Sequence, residues 1–374
     1  MVSTGGITTS TANERGCMEE NKIELKYLGI CSKNSSPGVY KKIKGFIKGA
    51  QKKLPNSSYC LIEPKGWRGY SELFKEALAS KQNLIMIRYL PRAGLLFFFL
   101  GFILNLRKQK LIIDVPTPQV NLIKEILLHN KTFFGLLNIL LIYLQAFIPF
   151  ITAYKVLQYS NESSFFTFGL KKRVLLIGNG VDVDSITLRK NQPNWPSAEL
   201  RLIAVGTIAA WHGWDKILNI IYEIKNSPWH EYSIKFTVVG DGPDLKLLKD
   251  LVKKYGISDS VIFTGHLDGQ DLLAEYEKSH IAVGSLGWDR IGVDIASPLK
   301  YREYLAVGIP FVYMTKDVDF DEDSRVAILV KSSDELKLFL LNMKAFSLPA
   351  PSMCREYAKE NLDFSKKVME ILRP

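Results

Sequence analysis

Residues 297–310 read Ser-Pro-Leu-Lys-Tyr-Arg-Glu-Tyr-Leu-Ala-Val-Gly-Ile-Pro, and this stretch decides the fold because it marks both ends of a helix. Ser297 suits the N-cap, and Pro298 suits the first helical position, where no backbone N–H is needed. Gly308 suits the left-handed residue that ends a helix, and the proline two residues later prevents the helix from resuming. The apolar run at 311–314 then predicts a strand, so the stretch is predicted to be one helix–strand unit of an α/β protein.

The start of this helix, at Ser297, Pro298 and Leu299, favours a bound anion. Its free backbone N–H groups and the positive end of the helix dipole attract phosphate. Lys300 and Glu303 are three residues apart and share a face of the helix. A diphosphate at the helix start would leave Glu303 about 9 Å further along the axis, near the group that the diphosphate carries. The plainer alternative is an ordinary capped helix with a solvated lysine and glutamate.

The same stretch resembles the donor-site helix of retaining glycosyltransferases with the two-domain GT-B fold, family 4 in particular. In that family an acidic residue in a run ending EYLA-x-G-x-P binds the ribose of a sugar nucleotide, and here this residue would be Glu303. The resemblance extends over residues 172–315 and includes the turn Asn179-Gly180-Val181-Asp182, similar to one that closes the first domain in the family. It implies an α/β protein of two Rossmann-like doubly wound domains facing each other across a cleft.

Length and composition suit a globular protein of two domains. The chain has 374 residues and a mass of 42.4 kDa. Hydrophobic residues make up 47% of the sequence and charged residues 23%, so each half can bury a core. Four cysteines are scattered singly and no secretory signal is predicted, so we expect reduced thiols, a cytoplasmic location and no structural metal. A net charge of +11 indicates an acidic partner, namely nucleic acid, an anionic membrane surface or a phosphorylated substrate.

The chain is predicted to divide into four segments: a flexible tail at 1–21, an N-terminal domain at 22–190, a C-terminal domain at 198–345 and a final segment at 346–374. A linker with two prolines, at 191–197, separates the domains. The last helix, at about 353–372, is expected from the resemblance to return to the first domain.

Strands alternate with helices of about ten residues in the second half of the chain. Strands are predicted at 200–206, 233–239, 261–265, 281–285 and 311–314. This alternation predicts a parallel doubly wound sheet, in which ligands bind beyond the carboxyl ends of the strands. The loops that follow the strands are therefore the candidate site.

Two apolar segments separate the strands of the first half. The segment at 93–104 has twelve residues without a charge, too few to span a bilayer. The segment at 133–154 is long enough, but it contains polar residues and Pro149 and its end reads as a strand, so a transmembrane span is the less favoured alternative.

Basic residues accompany these apolar segments. They are Arg92, Arg107, Lys108 and Lys110, together with a helical stripe of Lys41, Lys44, Lys48 and Lys52. Apolar segments with basic neighbours favour a protein that lies peripherally on the anionic inner face of a membrane. A merely solvated basic face is the alternative.

The loop at 206–215 is the first part of the candidate donor site. Thr207 and His212 stand where family 4 members usually have an Arg and a Lys that neutralise the donor diphosphate. His212 can donate a hydrogen bond to phosphate while carrying part of a charge near neutral pH. The alternative is a loop histidine beside two tryptophans.

Other loops add candidate donor-binding residues. Gly240 and Gly242 would let a ligand or a neighbouring loop approach the backbone, although the GDGP sequence is also a good turn. Arg290 would meet the diphosphate or pair with a neighbouring aspartate. In similar proteins the region of His266 meets the nucleotide base, and Gly38 resembles a glycine that lets the donor phosphate approach from the first domain.

The acidic signature of the family is incomplete. Its first member would fall eight positions before Glu303, at Ile295, and the nearest acidic residue, Asp294, is one position away. Asp294 is retained as a candidate for the sugar-contacting position. For catalysis the candidates are Glu303 and His129, the latter as the most suitable titratable residue of the first domain.

The resemblance implies transfer of a sugar from a nucleotide-diphosphate donor, of the UDP or GDP type, to a lipid-linked or polysaccharide acceptor. Retention of anomeric configuration and independence of metal follow from the same resemblance, and no cofactor is expected. The leaving diphosphate would be stabilised by the helix start, by Lys300, and by Arg290 or His212.

Four other functions are weighed against this interpretation. A sugar-nucleotide 2-epimerase shares the fold and would need no acceptor. Nucleic-acid binding would use the positive charge, but no RNP, KH or zinc-finger pattern is present, and a dehydrogenase is disfavoured because no G-x-G-x-x-G follows the first strand of either half. A non-catalytic partner that keeps the fold stays open because the usual Arg and Lys are replaced.

Overall fold

The computed structural model describes residues 23–32, 37–63, 66–90, 93–129, 132–167, 169–227 and 231–373. The described chain divides into two compact units. The first consists of the residues up to Pro116 with Leu137–Leu157 and Ser164–Leu175, and the second of Thr117–Leu136, Gln158–Ser163 and the residues from Leu176 onward.

A six-stranded sheet with the order β2-β1-β3-β4-β5-β6 is the centre of the first unit. Its strands are β1 (Leu25–Ile30), β2 (Ser58–Ile62), β3 (Leu84–Arg88), β4 (Lys110–Val115), β5 (Lys155–Gln158) and β6 (Val174–Leu176). The helices of this part of the chain are α1 (Pro37–Gln51), α2 (Trp67–Ala79), α3 (Gly94–Leu106), α4 (Gln119–His129), α5 (Phe133–Gln145) and α6 (Ser164–Thr167). The strands β1 to β4 pair in parallel, and β3 is buried along almost its whole length because helices cover both faces of such a sheet.

A second six-stranded sheet, with the order β12-β11-β10-β7-β8-β9, organises the second unit, and its strands also pair in parallel. The strands are β7 (Glu199–Val205), β8 (Ser233–Val239), β9 (Val261–Gly265), β10 (Ile281–Val283), β11 (Phe311–Tyr313) and β12 (Ala327–Leu329). The helices are α7 (Trp214–Lys225), α8 (Leu245–Lys254), α9 (Gly269–Glu277), α10 (Leu299–Val307), α11 (Ser333–Leu341), α12 (Pro351–Tyr357) and α13 (Phe364–Leu372). The prediction of an α/β protein with two Rossmann-like parallel sheets is confirmed.

The spacing of apolar residues in helix α1 explains which side of the helix faces the sheet. Ile43, Phe46 and Ile47 are buried against the sheet, whereas Lys41 and Lys44 point to solvent. Apolar residues at spacings of three and four place one stripe on the core, which leaves the lysines on the opposite face.

Two predicted elements differ from the structure. The strand predicted at the end of the apolar segment 133–154 begins only at Lys155, because Ile148–Ile151 forms a short 3₁₀ turn around Pro149. The long final helix is broken between α12 and α13 by a π-helical turn, after which Asp363 is extended and bridges to Val181. The side chain of Asp363 then accepts a hydrogen bond from the backbone N–H of Ser365, so it caps α13.

Candidate functional site

Helix α10 begins at Leu299, and Pro298 with φ −67° and ψ 140° occupies the cap position. The hydroxyl of Ser297 does not cap the helix as predicted. It accepts a hydrogen bond from the backbone N–H of Asn179 at 2.7 Å, while the Asn179 side-chain amide donates to the carbonyl of Ser297. Ser297 therefore ties the chain at Asn179 to the start of the helix.

The other end of α10 agrees with the sequence prediction. Gly308 has φ 93°, in the left-handed region, and its N–H donates to the carbonyls of Tyr304 and Leu305. Strand β11 follows three residues later. The helix therefore has a fixed length, and its start lies at the carboxyl edge of the second sheet.

A buried ion cluster that the sequence did not reveal holds α10 from inside. Arg302 is fully buried and forms ion pairs with the carboxylates of Asp317 and Asp319, and its Nε donates to the carbonyl of Asn179 at 2.9 Å. The ammonium of Lys367 also pairs with Asp319. Burial alone would lower the pKa of the guanidinium, but the two carboxylates together raise it above its ordinary value, so Arg302 stays charged in the core.

Four residues at the carboxyl edge of the sheet form what we call the His212 cluster: His212, Trp214, Ser285 and Lys300. The Nζ of Lys300 lies 2.9 Å from Nδ1 of His212 and 4.9 Å from the centroid of the Trp214 ring. The hydroxyl of Ser285 lies 2.8 Å from the same Nδ1. The imidazole stacks on the indole of Trp214 with ring centroids 4.9 Å apart, so its plane is fixed.

Burial lowers the pKa of both titratable members of the His212 cluster, and the charge of Lys300 acts on His212 as well. Burial, together with the charge of Lys300, lowers the pKa of His212 to about 2, and a hydrogen bond to the backbone of Thr207 opposes this only in part. His212 is therefore neutral near pH 7, and the single lone pair of its Nδ1 is the acceptor that the Lys300 ammonium and the Ser285 hydroxyl share. Burial lowers the pKa of Lys300 well below its ordinary value, even though part of its side chain reaches solvent.

The glycines of the 240–242 loop meet protein rather than open space. A Cβ at Gly240, whose φ is 131°, would collide with the carbonyl oxygen of Gly206. A Cβ at Gly242 would collide with the backbone of Ile208, whose N–H donates to Asp241 at 2.9 Å. The sequence left open whether a ligand or a neighbouring loop approaches these glycines, and in the structure it is the neighbouring loop at 206–208.

Arg290 makes a bidentate ion pair with Asp215, with N–O distances of 3.0 and 2.7 Å, and also donates to the carbonyl of Ala210 at 3.0 Å. This hydrogen-bonded pair raises the pKa of the guanidinium above its ordinary value. The structure thus shows the pairing with a neighbouring aspartate, the second role that the sequence left open. The pair fastens the 288–291 turn to the loop that carries His212.

The remaining candidates are more dispersed. Thr207, Asp294 and His266 are exposed, and the His266 ring lies 4.0 Å from the carboxylate of Asp268. Glu303 is half-buried, and its charge helps to raise the pKa of Tyr276 and Tyr304.

Two candidates come from the first half of the chain. Gly38 is exposed in the first turn of α1, and a Cβ there would meet nothing within 4 Å. His129 is the last residue of α4, and its side chain lies outside the described part of the structure.

Ser285 and Arg302 were not predicted from the sequence. Ser285 follows β10 by two residues, so the rule that sites lie beyond the carboxyl ends of strands could have found it. Arg302 gave no such signal, since an arginine beside a glutamate in a helix ordinarily faces water. Within the ranges that the structure describes, no group of three or more His, Cys, Asp or Glu side chains could hold a metal ion.

One segment of the second unit matches a known family. Residues 185–317 match the model of the family described as glycosyl transferases group 1, which confirms the prediction of a glycosyltransferase. A comparison with curated protein sequences finds no match.

Solved structures support the fold. The chain is similar to the apo form of the lipopolysaccharide outer core galactosyltransferase WaaB, with a TM-score of 0.61, 10% identity and coverage of 93% of this chain and 98% of that one. It is similar to the catalytic domain of starch synthase IV from Arabidopsis thaliana, with a TM-score of 0.61, 11% identity and coverage of 94% and 98%. It is also similar to WaaG, a glycosyltransferase involved in lipopolysaccharide biosynthesis, with a TM-score of 0.60, 12% identity and coverage of 93% and 99%. At these identities the likeness concerns the fold alone.

Proposed function

We propose that this chain transfers a sugar from a nucleotide-diphosphate donor, bound by the second unit, to a lipid-linked or polysaccharide acceptor at the cytoplasmic face of a membrane. The observation that carries the proposal is the His212 cluster, which lies inside the segment that matches the glycosyl transferases group 1 family. Retention of configuration and independence of metal are part of the proposal, and both derive from the resemblance to family 4.

The diphosphate would lie against the start of α10. The first N–H groups of the helix have no partner within the helix, and Lys300 stands one residue inside it. His212 is neutral and holds the Lys300 ammonium by a hydrogen bond, so it acts as a positioning residue rather than as a second charge. As the bond to the sugar breaks, negative charge grows on the leaving diphosphate, and the ammonium and the helix start stabilise it there.

Glu303 would contact the ribose. It lies one helical turn beyond Lys300 on the same face of α10, and its carboxylate would accept hydrogen bonds from the ribose hydroxyl groups. Because Arg302 anchors the neighbouring position in the core, the backbone that carries Glu303 is held rigidly.

Thermal unfolding in the presence of UDP-, GDP- and ADP-linked sugars tests the donor site. A donor at a hundred times its Kd stabilises the folded state by about 2.7 kcal/mol, and we expect one nucleotide class to do so with the wild type. Lys300→Ala and Glu303→Ala should each lose most of that stabilisation. Lys278→Ala, which removes an exposed lysine just beyond the end of α9, should keep it.

The outcomes separate the competing functions. Stabilisation by none of the sugar nucleotides would overturn the proposal in favour of a non-catalytic partner. Conversion of the bound sugar nucleotide into its epimer without an acceptor, seen by mass spectrometry and NMR, would overturn it in favour of an epimerase. Transfer with an inverted anomeric centre would contradict retention while leaving the transferase in place.

A further inference from the structure

Helix α3 is apolar on two opposite sides. Phe97, Leu100 and Leu104 are buried in the core of the first unit. Four other large apolar side chains of the helix are between 52% and 71% exposed: Leu95, Phe99, Phe102 and Leu106. A helix that is apolar all round is stable only when its outward side is also removed from water.

Helix α5 extends this outward surface. Its Leu140 and Leu144 are 52% and 60% exposed. The helices are locked together, because a Cβ at Gly94 would collide with the carbonyl oxygen of Gln145 and the N–H of Leu95 donates to the Gln145 side chain at 3.4 Å. We call these six exposed side chains (Leu95, Phe99, Phe102, Leu106, Leu140 and Leu144) the apolar face.

The charged residues that lie next to the apolar face along the sequence all have one sign. Residues 93–113 and 132–161 contain no Asp or Glu. Arg107, Lys108 and Lys110 are exposed immediately after Leu106. The Nζ of Lys110 lies 4.3 Å from the ring centroid of Tyr154, which pairs an aromatic ring with a cation as at membrane–water interfaces. An apolar surface whose neighbours in sequence are cations is complementary to an anionic lipid surface.

The lengths and connections of α3 and α5 indicate that these helices lie on a bilayer rather than cross it. Helix α3 has 13 residues, fewer than a span requires. Among the described residues the segment Phe133–Ile151 is long and apolar enough to cross a membrane by length and composition. It leads, however, into a buried Pro149 and Phe150 and then into β5 of the sheet, so a crossing would pull that strand out of the fold.

We propose that the apolar face inserts into the boundary between the headgroups and acyl chains of an anionic membrane, with Arg107, Lys108 and Lys110 binding the lipid phosphates. A second copy of this chain is a poorer occupant, because a two-fold contact would bring the like charges of both copies together. This inference deepens the proposed function by naming the surface that meets the membrane. It is tested without donor or acceptor, so either proposal can fail alone.

Vesicle flotation provides the test, with full-length protein and vesicles of phosphatidylcholine alone or with about 30% phosphatidylglycerol. We expect the wild type to bind the anionic vesicles roughly tenfold better than the neutral ones, with the difference shrinking as salt is added. Phe99→Gln with Phe102→Gln should reduce binding to the anionic vesicles roughly tenfold. The matched control Ile262→Gln with Leu338→Gln changes two apolar side chains that are equally exposed in the second unit, and it should bind like the wild type.

The charge is tested separately. Lys108→Glu with Lys110→Glu should abolish the preference for anionic vesicles, whereas Lys253→Glu with Lys254→Glu, at the exposed end of α8, should preserve it. Far-UV circular dichroism and the midpoint of thermal unfolding, both measured without donor, should be unchanged in all four variants. Absence of vesicle binding by the wild type, or equal loss in the control variants, would overturn the proposal. A lipid-free dimer that the Phe99/Phe102 variant dissociates would overturn it in favour of a second copy.

Discussion

The amino group of Lys300 is surrounded by an imidazole and an indole more than by water. Its Nζ lies 2.9 Å from a neutral histidine nitrogen, and burial lowers the pKa of the amine. An ammonium in this position has lost much of its hydration before any ligand arrives. The diphosphate of a donor would replace that hydration, so donor binding is expected to favour the protonated form of Lys300.

Donor affinity should therefore fall as pH rises, earlier than it would with an ordinary lysine. As pH passes upward through the lowered pKa of Lys300, the amine loses the proton that the diphosphate needs, and the Kd should increase. Isothermal titration calorimetry with an intact nucleotide sugar measures this, because its diphosphate is a diester that does not titrate in the same range. In buffers of different ionisation enthalpy, the apparent heat should also reveal proton uptake on binding.

Lys300→Arg provides the matched comparison, because a guanidinium keeps its charge throughout this range. The variant should bind the donor with a Kd that is almost independent of pH. If it shows the same pH dependence as the wild type, another group titrates and Lys300 is not the responsible residue.

For single residues, the sequence predicted which side chains form the candidate site better than it predicted what each side chain does there. His212 and Lys300 were both candidates for the donor site, and they are in direct contact. Their protonation could not be predicted, because the pKa of His212 depends on burial and on a lysine that is distant in sequence. The role of Ser297 was missed for the same reason, since its hydroxyl is engaged by Asn179 from elsewhere in the chain.

Among the elements, α10 shows most clearly how stability depends on one residue, the glycine that caps its C-terminal end. Gly308 has φ 93°, and a Cβ there would lie 2.8 Å from Cδ1 of Leu188 and 3.0 Å from the carbonyl oxygen of Pro351. Gly308→Ala should cost about 2–4 kcal/mol of unfolding free energy, from the left-handed backbone and from overpacking. Gly256→Ala has a similar backbone, with φ 62°, but nothing within 4 Å, so it should cost only about 1 kcal/mol.

Urea unfolding of both variants measures the difference. Equal losses of stability would show that the left-handed backbone alone matters and that the contact with Leu188 and Pro351 relaxes. This comparison isolates the steric part of the cost, which the sequence signal at Gly308 did not contain.

Elements with strong local signals were predicted well, and those fixed by distant partners were not. Both ends of α10 and the strand after it follow from proline, glycine and an apolar run, and their positions agree within a residue or two. The break before α13 depends on backbone hydrogen bonds between the chain at 362–364 and Val181. No residue near Asp363 in the sequence indicates that pairing, so the sequence predicted one long helix.

Across the whole molecule, each unit buries a cluster of charges. In the second unit this is Arg302 with its two aspartates. In the first unit Asp114 is fully buried, accepts a hydrogen bond from the hydroxyl of Tyr27, and lies 3.5 Å from both Lys42 and Arg88. Burial lowers the pKa of Lys42 to about 8, against the attraction of Asp114. Such a group makes global stability depend on pH, because the unfolded lysine titrates at its ordinary value.

The stability of the first unit should consequently rise between pH 8 and pH 9.5. In this window the folded protein releases the Lys42 proton while the unfolded chain keeps it, so unfolding takes up a proton and becomes less favourable as pH increases. The full difference between pKa values of 8 and 10.5 corresponds to about 3 kcal/mol, of which the window captures part. Below pH 8 both states hold the proton, and above pH 10 the raised pKa of Tyr27 works in the opposite direction.

Urea midpoints of the wild type and Lys42→Met, compared across this window, isolate the contribution of Lys42. Lys300 also has a lowered pKa, but it contributes equally to both proteins and cancels in the comparison. The wild type should gain stability relative to the methionine variant as pH rises. If the urea midpoints of the two proteins change in parallel with pH, Lys42 has the same pKa in the folded and unfolded states. Its burial beside Asp114 and Arg88 would then have no net effect on its protonation.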